Sequence, residues 1–215
     1  LFVNTSTSEV YGSALYVPID EKHPLNAQSP YAASKIAADQ LSLSYYRSFG
    51  LPITIMRPFN TFGPRQSQRA AIPAIINQII SGKKEIKLGN LNAHRDFTYV
   101  DDTVNGYLKL IDNKKFLGEV INLGTGSSFS IKETLRFICD LLNKKVEVKV
   151  DQKRLRPKKS EVNKLLSKNS KAKKILKWKP KFSGKSGFFK GLKKTIEWSK
   201  QNEDLLKNQS DSYNV

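Results

Sequence analysis

The stretch Ser29-Pro30-Tyr31-Ala32-Ala33-Ser34-Lys35 decides how this chain of 215 residues is read. Ser29 suits a helix N-cap, and Pro30 suits a first helical position, where no N–H is needed. The helix that follows brings Tyr31 and Lys35, one turn apart, onto a single face. A free phenol titrates near pH ~10 and is a poor base at neutrality. An ammonium beside a phenol favours the phenolate and makes proton exchange with a substrate hydroxyl practicable. Any helix can hold Tyr and Lys at this spacing, so the meaning of the pair rests on what flanks it.

Upstream, Leu1-Phe2-Val3-Asn4-Thr5-Ser6-Thr7-Ser8-Glu9-Val10-Tyr11-Gly12 opens on an apolar run that reads as a buried strand. It ends in a cluster of hydroxyls and one carboxylate. In doubly wound sheets the C-terminal edge of the strands is where ligands bind. Downstream, Leu51-Pro52-Ile53-Thr54-Ile55-Met56-Arg57-Pro58 reads as a second strand, followed by Phe59-Asn60-Thr61-Phe62-Gly63-Pro64-Arg65.

Strand, Tyr/Lys helix and strand in this order resemble the extended short-chain dehydrogenase/reductase family, in its NAD-dependent epimerase/dehydratase branch. The resemblance is carried by the hydroxyl-rich strand end, Tyr31-x-x-x-Lys35, Arg57-Pro58-x-Asn60-x-x-Gly63-Pro64 and Arg95-Asp96-Phe97-Thr98-Tyr99-Val100-Asp101-Asp102. These occur in family order over most of the chain. They imply an α/β fold: the C-terminal part of a Rossmann-type doubly wound parallel sheet with a smaller α/β substrate-binding lobe. Residues 1–65 and 96–126 are then expected in the Rossmann-type domain, 66–95 and 127–200 in the lobe, and 201–215 in a polar tail.

The resemblance also implies a chemistry on nucleotide sugars with NAD as cofactor. Tyr31 would take the proton of the sugar C4 hydroxyl, Lys35 would hold the nicotinamide ribose, and Thr7 would hydrogen-bond the C4 oxygen. Family epimerases usually lack an acid at the position of Glu9. The Thr7-Ser8-Glu9 form resembles GDP-mannose-type dehydratases and the dehydratases of nonulosonic-acid pathways, so a nucleotide-sugar 4,6-dehydratase is expected. Ser8, a substrate-contact candidate, stands where dTDP-glucose dehydratases carry an aspartate, which leaves Glu9 to handle both the C5 proton and the departing water. A C4 epimerase or a glucuronate decarboxylase on the same scaffold remains an alternative, as does a remnant that only binds. Family members dimerise through the Tyr/Lys helix, so a homodimer is expected.

A nucleotide-sugar diphosphate needs fixed cations, and the planar fork of arginine suits it. By resemblance, Arg95 contacts the diphosphate, Arg156 closes over the nucleotide, and Asn60 hydrogen-bonds the sugar or its first phosphate. Arg65 is a further candidate.

Composition limits the alternatives. Hydrophobic residues make up 39% of the chain, enough for a buried core. No stretch approaches the ~18 uninterrupted apolar residues of a membrane span. No signal peptide is visible, and a cytoplasmic enzyme is expected. Cys139 falls on the apolar side of a predicted helix and reads as a small hydrophobe. His23 and His94 have no second ligand at metal spacing, so no metal site is expected. Residues 1–150 carry a net charge of +5 and residues 151–215 one of +13. The excess is lysines scattered through amphipathic segments, without a helix-turn-helix or zinc-finger pattern, and nucleic-acid binding is not expected.

No glycine-rich phosphate turn follows the first strand. Gly124-Thr125-Gly126-Ser127-Ser128-Phe129 has Phe where a third glycine belongs, and reads as a turn after the strand Glu119–Leu123. The chain therefore reads as the C-terminal two-thirds of an enzyme, without the half that holds the cofactor phosphates. Elsewhere, helices are predicted over Ile72–Ser81, Val100–Ile111, Lys164–Leu166, Ser170–Leu176 and Phe188–Lys200. Strands are predicted over Glu85–Leu88 and Val146–Val150. Ser130-Ile131-Lys132-Glu133 is a capping box that opens a further helix.

Overall fold

The computed structural model describes residues 1–111 and 116–204. In chain order the elements are β1 (Phe2–Thr5), α1 (Pro30–Phe49), β2 (Ile53–Pro58), β3 (Asn60–Phe62), α2 (Ala71–Ile80), β4 (Glu85–Leu88), β5 (His94–Arg95), β6 (Phe97–Tyr99), α3 (Val100–Leu108), β7 (Val120–Leu123), β8 (Phe129–Ser130), α4 (Ile131–Leu142), β9 (Glu147–Val150), α5 (Ser170–Leu176) and α6 (Gly184–Gln201).

β1, β2 and β7 form a parallel sheet in that order, with Phe2 opposite Ile53 and Met56 opposite Ile121. Parallel neighbours need a crossover, and α1 supplies the one between β1 and β2. Ser29 caps it as the sequence predicts, its Oγ accepting from Ala32 N at 3.1 Å. β2 is buried along most of its length, and its apolar run carries no alternation. Met56, Ile121 and Leu123 pack with Ala172, Leu176 and Trp178, so α5 belongs to the core of the sheet.

The second core gathers the inner faces of α2, α4 and α6 around Phe62, Phe97, Ile138 and Phe188. The Phe188 ring stacks on Phe97 on one side and Phe129 on the other. α6 comes so close that a Cβ at Gly191 would lie 2.7 Å from the Phe62 ring. β4 and β9 pair in parallel on this side. The parallel pair β3–β6 and the antiparallel pair β5–β8 carry the chain between the two cores.

Most predicted elements appear within a few residues of their expected limits, and both halves of the Ser130/Glu133 capping box form. α3 ends at Leu108, short of the predicted Ile111. α6 begins at Gly184, ahead of the predicted Phe188. Lys164–Leu166 is extended, not helical. Its backbone pairs instead: Leu165 N donates to His94 O at 3.0 Å and Ile19 N to Leu166 O at 2.7 Å. Val162 and Leu165 are buried there against Val10, Tyr11, Ile19 and Phe59. Tertiary pairing has overridden local preference. Residues 205–215, most of the expected tail, lie outside the described residues.

Candidate active site

β1 ends at Thr5, on the edge of the parallel sheet where ligands are received. The Lys35 ammonium donates to Thr5 O at 2.9 Å, which fixes α1 against this edge. Tyr31, one turn earlier on α1, is 52% exposed. Past Thr5 the chain enters a short 3₁₀ turn, Ser8–Tyr11, capped by Thr7, whose hydroxyl accepts from Glu9 N at 3.2 Å. Ser8 is buried within that turn. The Glu9 carboxylate makes a bidentate pair with Arg156, at 3.1 Å and 3.3 Å. Thr7, Glu9 and Lys35 therefore share one sheet edge, and Arg156 reaches it from a distant loop.

A cavity of about 300 Å³ brings Asn60, Arg95 and Arg156 together. Asn60 is set by the β3–β6 pairing: it lies opposite Phe97, and its N–H donates to Asp96 O at 3.1 Å. Its side-chain carbonyl oxygen is buried without a hydrogen-bond partner, as is that of Gln66, which also lines the cavity. Two such acceptors suit a ligand that brings hydroxyl or N–H donors. Arg95 is anchored by one guanidinium nitrogen donating to Val162 O at 2.7 Å and His94 O at 3.0 Å. Its other terminal nitrogen lies 3.7 Å from Glu161. Burial, with repulsion from Arg156, pulls the Arg95 guanidinium below its usual value. Arg69 and Arg154 also line the cavity, and Arg95, Arg154 and Arg156 are each paired with a carboxylate, Glu161, Asp151 and Glu9 respectively, so four guanidinium groups meet three carboxylates. The positive balance that remains favours an anionic ligand.

Sequence reasoning missed Arg69, Arg154 and Gln66. Arg65, which it did nominate, is exposed in a left-handed turn (φ 65°) and does not line the cavity. The only signal for Arg69 was its place just before the N-terminus of α2, in the polar run that also holds Arg65. Arg154, in a 3₁₀ turn after β9, offered none.

The turn Gly124–Ser127 does cradle an anion, and the anion is the chain's own. The Asp96 carboxylate accepts from Thr125 N at 2.8 Å, Thr125 Oγ1 at 2.7 Å, Gly126 N at 2.9 Å and Ser167 N at 3.1 Å. A Cβ at Gly124 would come 2.4 Å from Ser167 Cβ, so only glycine permits this approach. Burial pushes Asp96 up to about 6 against the pull of its donors. Among the described residues no His/Cys/Asp/Glu group is placed to hold a metal ion, and no helix is long and apolar enough to cross a membrane.

The family model for GDP-mannose 4,6 dehydratase matches residues 1–205. The chain is 36% identical over 208 residues to the UDP-glucuronate 4-epimerase of Thermodesulfobacterium geofontis, covering 95% of this chain and 61% of that protein. It is 32% identical over 214 residues to the dTDP-D-glucose 4,6-dehydratase of Homo sapiens, covering 96% and 58%. The crystal structure of dTDP-glucose 4,6-dehydratase from Bacillus anthracis in complex with NAD superposes with a TM-score of 0.85. That match is 30% identical and covers 97% of this chain and 64% of the other. The chain thus spans about three fifths of the length of the curated relatives named here.

Proposed function

This chain belongs to the GDP-mannose 4,6-dehydratase family, and on that premise we propose that it carries the catalytic edge and substrate cavity of an NAD-dependent nucleotide-sugar 4,6-dehydratase. The observation that carries the reading is Glu9. Its carboxylate stands on the turn just beyond β1, at the same edge as the Lys35–Thr5 contact. A base at that place serves abstraction at C5, which a C4 epimerisation does not use.

Lys35 at the strand end and the accessible Tyr31 beside it fit the nicotinamide-ribose end of NAD. NAD, when bound, takes up a hydride and returns it. Tyr31 accepts the proton of the C4 hydroxyl, with Lys35 one turn further along the same face. Thr7 hydrogen-bonds the C4 oxygen. The resulting 4-ketone acidifies C5–H, and Glu9 takes that proton and passes it to the C6 hydroxyl, which leaves as water; the hydride then returns to C6 of the 4-keto-5,6-ene, and C5 takes a proton from solvent. Arg95 and Arg156 hold the diphosphate, with Arg69 and Arg154 adding charge, and the Asn60 side-chain carbonyl takes a sugar hydroxyl. Arg156 serves both ends, since it also orients Glu9.

We place residues 1–65 and 96–126 in the sheet domain, joined by α5, with the cavity at its border with the lobe. A cytoplasmic homodimer completes the proposal, supported by the exposed stripe Leu41, Tyr45 and Phe49 on α1. The test is Glu9→Gln in the full-length enzyme. It keeps size and hydrogen bonding but cannot take a proton, so C4 oxidation should proceed while elimination stalls and reduced cofactor accumulates. Unchanged elimination would remove Glu9 from the mechanism.

A further inference from the structure

Beneath the catalytic edge lies a buried polar network that the proposed mechanism does not use. Asp39 sits on α1 one turn beyond Lys35 and two beyond Tyr31. It is 0% exposed, and its partner Arg57 on β2 is 3% exposed. Asp39 accepts from Asn4 Nδ2 at 2.8 Å and from Ser6 Oγ at 2.9 Å. Those residues flank Thr5, whose carbonyl receives Lys35. Arg57 donates through Nε at 3.0 Å and pairs through Nη2 at 2.9 Å with Asp39 Oδ2. Its Nη1 donates to the Tyr11 hydroxyl at 2.9 Å. Tyr11 closes the turn that holds Glu9, and its O–H donates to Asn122 Oδ1 on β7 at 2.7 Å. Burial pushes the Tyr11 phenol up to about 12, so it keeps that proton through the neutral range.

A buried ion pair is weak evidence for stability, since well-packed apolar residues of similar volume often do as well. Every member here instead ties one piece of the edge to another. We propose that Asp39, Arg57 and Tyr11 are positioning residues with divided roles. Asp39 sets the Tyr31/Lys35 helix against the end of β1, and Arg57, through Tyr11, sets the Glu9 turn. The inference rests on the dehydratase reading for the role of Glu9 alone. Asp39 acts on proton and hydride removal at C4, and Tyr11 acts on the elimination that follows.

The experiment is single-turnover kinetics of the full-length enzyme with its nucleotide sugar, following absorbance of the reduced cofactor as it forms and decays. Asp39→Asn should slow formation by roughly tenfold to a hundredfold, the scale of a small misplacement of a reacting group, and leave decay unchanged. Tyr11→Phe should leave formation unchanged and slow decay by a similar factor of roughly ten or more. Neither should raise KM for the nucleotide sugar. If Asp39→Asn leaves Arg57 uncompensated and fails to fold, Ser6→Ala removes one bond to Asp39 while keeping the ion pair, and formation should slow by a few-fold. Variants that lose stability yet change both phases equally, or neither, overturn the proposal. Wild-type enzyme that takes up no solvent deuterium at C5 defeats the dehydratase reading instead. The formation phase then still decides: it must slow in Asp39→Asn and not in Tyr11→Phe.

Discussion

At the sheet edge each proposed step rests on one side chain, whereas the cavity spreads its charge over Arg69, Arg95, Arg154 and Arg156. Tyr31, Thr7 and Glu9 each have a proposed task that their neighbours cannot take over. The arginines overlap in reach and compete with Glu161 and with the Glu9 carboxylate for one another's attention. The contrast teaches where substitutions will register. Losses at the edge should appear in turnover, and losses in the cavity should appear in substrate affinity and be partly compensated.

The largest expected effect is at Tyr31. Tyr31→Phe in the full-length enzyme should lower kcat by ~10²–10⁴-fold with KM nearly unchanged, because it removes a proton acceptor and little contact surface. Turnover above a few per cent of wild type would break the comparison at its strongest point.

Asp96 tests the seam between the two ends, because its backbone carbonyl takes Asn60 N and its carboxylate takes four donors. Asp96→Asn must turn an NH₂ toward at least one backbone N–H. It should cost about 2–4 kcal/mol in urea unfolding, the penalty of stranding one or two buried donors. A carboxyl raised from 3.8 to about 6 keeps its proton in the folded state where the unfolded chain has lost it. Its stabilising contribution is therefore present below pH 3.8 and lost as pH rises through about 6. The stability gap between wild type and Asp96→Asn should narrow across that window. A widening gap would mean that the four donors outweigh burial.

In the cavity, Arg156→Met should raise KM by ~10–100-fold, the worth of a charge-assisted contact, with a smaller fall in kcat because Glu9 also loses its partner. Arg69→Ala should raise KM by about tenfold or less, since three other guanidinium groups remain. A larger effect from Arg69 than from Arg156 would show that the cavity is read from the wrong side.

The sheet edge was legible in the sequence because its parts are local. Ser29, Pro30, Tyr31 and Lys35 fall in one helical start, and Thr7 and Glu9 follow one apolar strand. The cavity was legible only where a motif marked it, at Asn60, Arg95 and Arg156. Arg69 and Arg154 lie in loops without periodicity, and only the folding of three separate segments brings them to one wall. The same cause hid the place of α5. Its Ala172 and Leu176, with Trp178 just beyond it, pack against Met56 and Ile121, and the Trp178 indole donates to Asp102 O at 2.9 Å. The turn at Gly124 was readable as something other than a dinucleotide loop. That it would wrap Asp96, 29 positions upstream, was not.

The central claim, that Glu9 works as a base at C5, is tested most directly by turnover of the wild-type full-length enzyme in heavy water. The substrates to try are GDP-mannose, dTDP-glucose and UDP-glucuronate. The account predicts a 4-keto-6-deoxy product carrying deuterium at C5 from GDP-mannose or dTDP-glucose, while UDP-glucuronate, whose C6 is a carboxylate, serves as the control for epimerisation. A C4 epimer with no deuterium at C5 would contradict it and leave Glu9 as a turn residue that anchors Arg156.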